Sequence, residues 1–220
     1  MLSRNKITRF YFTIAVLGAV LFSILLLLLD DLRTELKFHV AGLTLYAVGA
    51  PIYIYSVYSF SWEGNHIRLF LNNHKDLIDM VENKIRFNQL TSFLLFCMAL
   101  LIFNFHLDRL TFKMLWLSFL YNASLANILT LYLTSFQLRK IDLFENRFEI
   151  VRQPSVHLLI VILTASIFIL SMVLLFYFSF VTGPLLWITL LFISSYFFLK
   201  PITMKKIVFN LKRSSYDPNR

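Results

Sequence analysis

From Leu158 to Leu199 the chain runs for 42 residues without one charged side chain. As a single helix this stretch would be about 63 Å long, twice the hydrocarbon thickness of a bilayer. It must therefore turn back, and Val181-Thr182-Gly183-Pro184 holds the strong turn signal inside it. Pro184 also suits the first turn of the next helix. In all, six apolar stretches stand out: Tyr11–Leu29, Phe38–Phe60, Leu90–His106, Phe112–Thr134, His157–Phe180 and Pro184–Leu199. A crossing needs roughly 20 mostly apolar residues. The expected fold class is an all-α polytopic membrane protein with six transmembrane helices, in one transmembrane domain over residues 1–220. Composition agrees, with 58% hydrophobic and 15% charged residues and a mean hydropathy of +0.70. Soluble domains run near half apolar and about a quarter charged. A soluble enzyme and a disordered tail are excluded.

Charge sets the orientation. The first stretch has a basic start (Arg4, Lys6, Arg9), but Asp30-Asp31 follows it without a small-residue cleavage site. It reads as a retained helix rather than a signal peptide. Of the 21 Lys and Arg, 17 lie in the N-terminus, the loops Ser61–Gln89 and Ser135–Val156, and the tail from Lys200, against 4 in the other connections. That bias predicts an N-in/C-in multi-pass membrane protein with both long loops in the cytoplasm and short outer loops; an inner-membrane location is the accompanying expectation. The tail cations Lys200, Lys205, Lys206, Lys212, Arg213 and Arg220 are expected to rest on anionic headgroups. No basic patch is interleaved with exposed aromatics, so no nucleic-acid partner is expected.

Chemistry is sparse. The chain has no phosphate-binding G-x-x-x-x-G-K-[ST], no H-E-x-x-H and no Gly-x-Ser-x-Gly. The span interiors carry no Asp, Glu, Lys or Arg, which proton relays and intramembrane hydrolases require at depth. Cys97 is a lone cysteine in an apolar run. His39, His106 and His157 sit at span ends, where interfacial roles outnumber ligation. No catalytic residue, metal or cofactor is assigned, and the chain is not expected to be an enzyme.

Three features rise above this background. In the fourth span Asn127, Thr130, Thr134 and Gln137 fall within about 80° of arc at 100° per residue, with Asn122 and Ser124 off the stripe. Such a stripe serves interhelical hydrogen bonding or the wall of a substrate path. In the second span Ala41, Gly42, Ala47, Gly49 and Ala50 permit close helix approach, and Pro51 is expected to kink it. In the loop Ser61–Gln89, Ile67, Phe70, Leu71, Leu77, Ile78, Val81 and Ile85 share one helical face, opposite Glu63, Lys75, Asp79 and Glu82. A break at Asn72-Asn73 is expected, with Asn73 capping the second piece and Asp76 at its third position. This amphipathic cytoplasmic helix between spans 2 and 3 would either lie on the membrane surface or dock a cytosolic partner.

Phe60-Ser61-Trp62-Glu63-Gly64, the amphipathic stretch and Lys84 before the next span resemble ABC-2-type transporter permeases. Leu120-Tyr121-Asn122-Ala123-Ser124, Leu131-Tyr132-Leu133-Thr134-Ser135-Phe136 and Lys140-Ile141-Asp142-Leu143 are similar to the C-terminal half of an uncharacterised bacterial family of predicted ABC-2-like permeases. The resemblance covers the chain from about Phe38 onward. It implies a permease subunit of an exporter, with ATP hydrolysis in a separate cytosolic ABC ATPase subunit. It also implies pairing as a homodimer or with a second six-span half, within membrane lipid. On this basis Trp62, Glu63, Gly64, Phe70, Lys75, Asp79 and Glu82 are the partner-coupling candidates. Asn122, Asn127, Thr130 and Thr134 are the candidates for a substrate path or helix interface. The competing expectation is a non-transporting membrane scaffold or accessory subunit.

Overall fold

The computed structural model describes residues 6–28, 37–60, 73–103, 109–136 and 185–215. These residues form five helices and no strand: α1 (Lys6–Leu28), α2 (Lys37–Tyr58), α3 (His74–Ile102), α4 and α5 (Leu185–Ser215). α4 runs through Arg109–Tyr121, a π-helical turn at Asn122–Ala126, and Asn127–Thr134. The all-helical expectation holds for these residues. α3 and the Thr111–Thr134 part of α4 are long and apolar enough to cross a membrane, and Phe12–Leu25 is a shorter apolar helix. The expected fifth span, His157–Phe180, lies outside the described residues.

Two expected boundaries are corrected. The amphipathic cytoplasmic helix and the third span are one rod, not two elements: α3 has 29 residues, about 44 Å of helix. It begins where expected, at Asn73, whose Oδ1 accepts from Lys75 N at 3.1 Å with an extended backbone (φ −117°, ψ 112°). Asp76 in the first turn favours the positive end of the helix dipole. The rod continues through Lys84, Asn88 and Gln89 because these polar side chains meet partner groups instead of water. Likewise, the sixth helix does not end at Leu199. α5 passes through Pro201 to Ser215. The described part of the basic tail is therefore helix, with Lys205 and Lys206 exposed and Met204, Ile207, Val208 and Leu211 buried.

Two apolar clusters bracket the middle of the bundle. One joins Phe60 at the end of α2, Leu77, Met80, Val81 and Ile85 of α3, Leu131 of α4, and Met204, Ile207, Val208 and Leu211 of α5. The described part of the apolar face read from the loop sequence, Leu77, Ile78, Val81 and Ile85, thus packs on other helices. The other cluster joins Ala47 and Val48 of α2, Phe96, Ala99 and Phe103 at the far end of α3, and Met114 and Leu115 of α4. α1 lies against α2, with Ala15 and Ala19 buried and Phe22 stacked on Tyr46 at 5.2 Å between ring centroids.

Candidate functional site

Between the two clusters lies a buried polar layer contributed by α2, α3 and α4. Asn88 is its hub and is 0% exposed. Its Nδ2 donates to Ser56 Oγ at 2.8 Å and to Asn127 Oδ1 at 2.7 Å. Asn127 Nδ2 in turn donates to Ile85 O at 2.9 Å. One turn along α3, Ser92 Oγ donates to Val48 O at 3.2 Å. From α4, Asn122 Nδ2 donates to Leu45 O at 3.3 Å and Ser118 Oγ to Thr44 Oγ1 at 3.1 Å. Three helices are thus registered by side chains 32 to 77 residues apart in sequence.

The layer meets α2 beside its internal proline. Pro51 has no N–H for the carbonyl one turn back and crowds the turn below it. Donors from α3 and α4 reach carbonyls in that same region, Val48 O and Leu45 O. The carbonyl that Pro51 leaves without a backbone donor is that of Ala47, so these side-chain donors add to neighbouring carbonyls rather than replace the missing bond. Gly49 makes room for this contact: a Cβ at this position would stand 2.5 Å from the Asn122 amide, so a larger residue would displace the Asn122 side chain.

The π turn brings Asn122 into the layer. In an unbroken α-helix, positions 122 and 127 point about 140° apart. Bonding from i to i+5 brings residues five apart nearly into line. Both Asn122 and Asn127 are consequently 0% exposed, although the uniform-helix reading set Asn122 aside from the stripe.

Lys84 lies at the boundary of the layer and the first cluster, 3% exposed. Its Nζ donates to Ser59 O at 3.0 Å, just past the end of α2. It also stands 5.8 Å from the Tyr55 ring centroid and 5.4 Å from that of Phe60. A cation there complements the negative end of the α2 dipole, and the two ring faces add cation–π attraction.

At the charged end of α3, outside the apolar spans, Glu82 Oε1 accepts from Lys200 Nζ at 2.9 Å and from Arg86 at 3.2 Å. The hydrogen bond and charge of Lys200 hold the Glu82 carboxyl below its ordinary 4.5, with Arg86 adding and burial opposing. Burial alone would lower the Lys200 ammonium. The hydrogen bond to Glu82 and the neighbouring Tyr196 and Glu82 charges outweigh it and hold Lys200 above its ordinary 10.5. The pair ties α3 to α5 one residue before Pro201.

Of the expected coupling residues, Lys75 and Asp79 are exposed on α3 and Glu82 is half-buried. Trp62, Glu63, Gly64 and Phe70 lie outside the described residues. Of the expected path residues, Asn122 and Asn127 reach across to other helices. Thr130 and Thr134 are buried, but Thr130 Oγ1 donates to Ala126 O and Thr134 Oγ1 to Leu131 O, within their own helix. Gln137 lies outside the described residues. Ser56, Lys84, Asn88 and Ser92 were not singled out as site residues in the sequence. Their type signals only polarity, and helical spacing alone does find Lys84, Asn88 and Ser92 on one face of a continuous α3. Among the described residues no group of three His, Cys, Asp or Glu could hold a metal.

Amides and hydroxyls, with one lysine at a helix end, bond three helices to one another in this layer. Among the described residues the fold is all-helical, with two helices long and apolar enough to cross a membrane. The chain belongs to the DUF5687 family, a family of unknown function whose model matches residues 1–220. Neither a curated protein nor a solved structure matches it.

Proposed function

We propose that this chain is the membrane-spanning permease subunit of an ABC-type exporter, driven by a separate ATPase subunit. The observation that carries the reading is the continuity of α3. Its first turns present Lys75, Asp79 and Arg86 outward, and the same rod carries Lys84, Asn88 and Ser92 into the buried layer. A force applied at its exposed end reaches α2 and α4 through hydrogen bonds, and α5 through Glu82–Lys200. The mixed charge of that end suits a protein surface better than anionic lipid, which selects basic faces. Exposed Leu90, Phe93, Leu94 and Leu101 on α3 and Phe197 and Phe198 on α5 suit hydrocarbon. In this reading the chain is multi-pass in the inner membrane, with six spans and both termini cytoplasmic. A homodimer or a second six-span half completes the path.

Two experiments test it. Reporter fusions after Lys37, Asp108 and Thr182 are expected to read outside, and those at Asn73, Glu145 and Arg220 inside. An outside C-terminus refutes the arrangement. Purification at native expression is expected to recover an ATPase, and the double change Asp79→Lys, Glu82→Lys to lose it while insertion persists. The hydroxyls of Thr130 and Thr134, which return to their own backbone, favour a second reading, the non-transporting scaffold. A stable complex that moves nothing across reconstituted vesicles with ATP would establish that reading instead.

A further inference from the structure

The π turn of α4 is held by a donor from another helix. In an unbroken α-helix the Asn127 N–H would go to Ala123 O, four residues back. Here it goes to Ser124 O, and Ala123 O receives Gln89 Nε2 of α3 at 3.1 Å. Ser124 Oγ donates to Leu120 O and Thr130 Oγ1 to Ala126 O, but these donors belong to α4 and travel with it. Gln89 does not.

We infer that Asn122–Ala126 is a register joint latched in its π form by Gln89. When the Gln89 amide withdraws, Ala123 O loses the donor that α3 supplies, and the Asn127 N–H is the backbone group that α geometry would bring to it. Taking it restores α geometry. The π turn holds one residue more than an α turn, so the Asn127–Thr134 half re-registers by about 100° about its axis. The Arg109–Tyr121 half stays in place, because Asn122 donates to Leu45 O and seats against Gly49. Asn127 then leaves the face it shares with Asn122, and its 2.7 Å bond with Asn88 breaks. Displacement of α3 is thereby converted into rotation of one end of α4. Gln89 is the positioning residue of this device.

The test is a distance measurement on the full chain in lipid nanodiscs. Nitroxide labels at Asp79→Cys and Leu133→Cys, in a Cys97→Ser background, are read by pulsed electron–electron resonance. The parent is expected to show one population. Gln89→Leu is expected to add a second, shifted by up to about 8 Å, since a side chain at roughly 5 Å from the helix axis moves that far in such a rotation. Gln89→Glu keeps the shape, loses the donor, and is expected to do the same. Gln89→Lys, which can still donate to Ala123 O, is expected to keep the parent population. Deletion of Leu125, which removes the extra residue, is expected to close the turn as α while the Asn127–Thr134 half keeps its parent register, and so to give the parent population alone. An unchanged single population in both Gln89→Leu and Gln89→Glu overturns the latch, whether or not the deletion folds. The readout needs neither ATPase nor cargo, so its failure is separable from failure of the transport reading.

Discussion

Replacing Asn127 with leucine removes the acceptor for Asn88 Nδ2 at 2.7 Å and the donor to Ile85 O at 2.9 Å. Leucine shares the branching of asparagine but is larger, so no cavity contributes and any overpacking adds to the cost. An interhelical hydrogen bond in lipid is worth about 0.6–2 kcal/mol. A buried amide N–H left without an acceptor costs about 1–3 kcal/mol. Asn88 is 0% exposed and its other proton remains with Ser56, so one N–H is stranded. Asn127→Leu should therefore destabilise the bundle by about 2–4 kcal/mol, or roughly one and a half to three powers of ten at about 1.4 kcal/mol per tenfold. Reversible unfolding in mixed micelles measures it, with Cys97→Ala as the neutral control. A double-mutant cycle with Asn88→Leu should show a coupling of about 1 kcal/mol or more, because the double change strands no amide. An Asn127→Leu effect no larger than the control, or a coupling near zero, would refute the claim that this bond registers α3 on α4.

Three further outcomes are expected. Glu82→Gln should lower stability by less than about 1 kcal/mol, since the pair is partly exposed. Because the Glu82 pKa is lowered and that of Lys200 raised, the pair's contribution is full between their ordinary values. It is lost as pH falls below 4.5 through the lowered Glu82 value, or rises above 10.5 through the raised Lys200 value. Unfolding midpoints of the two proteins should converge at those extremes. Gly49→Ala should cost about 1–3 kcal/mol by driving a methyl into Asn122, and adding Asn122→Ala should recover part of it in the same unfolding assay. Lys84→Met should destabilise by about 1–3 kcal/mol through loss of the charged bond to Ser59 O, and hydrogen exchange should rise first at the last turn of α2.

The amino-acid pattern by itself determined that the described residues are helical, since apolar stretches of this length satisfy their backbone internally in no other common way. It also placed the start of α3, because an asparagine before an apolar helical pattern, with Asp76 three residues on, is a capping signal, and Asn73 Oδ1 does accept the Lys75 N–H. The apolar face Leu77, Val81 and Ile85 was legible from its spacing. What covers that face was decided by tertiary structure, since Leu131 and Leu211 lie 46 and more residues away from it. The same holds for the polar run from Lys84 to Gln89. Polarity marks a residue that needs a partner, but not whether that partner is water or a carbonyl on another helix. Ser56, Ser59, Ala123 and Asn127 supply the answer here. The π turn was hidden for a related reason. Its extra residue is stabilised by donors that backbone periodicity does not encode, so a uniform 100° wheel placed Asn122 on the wrong side of its own helix.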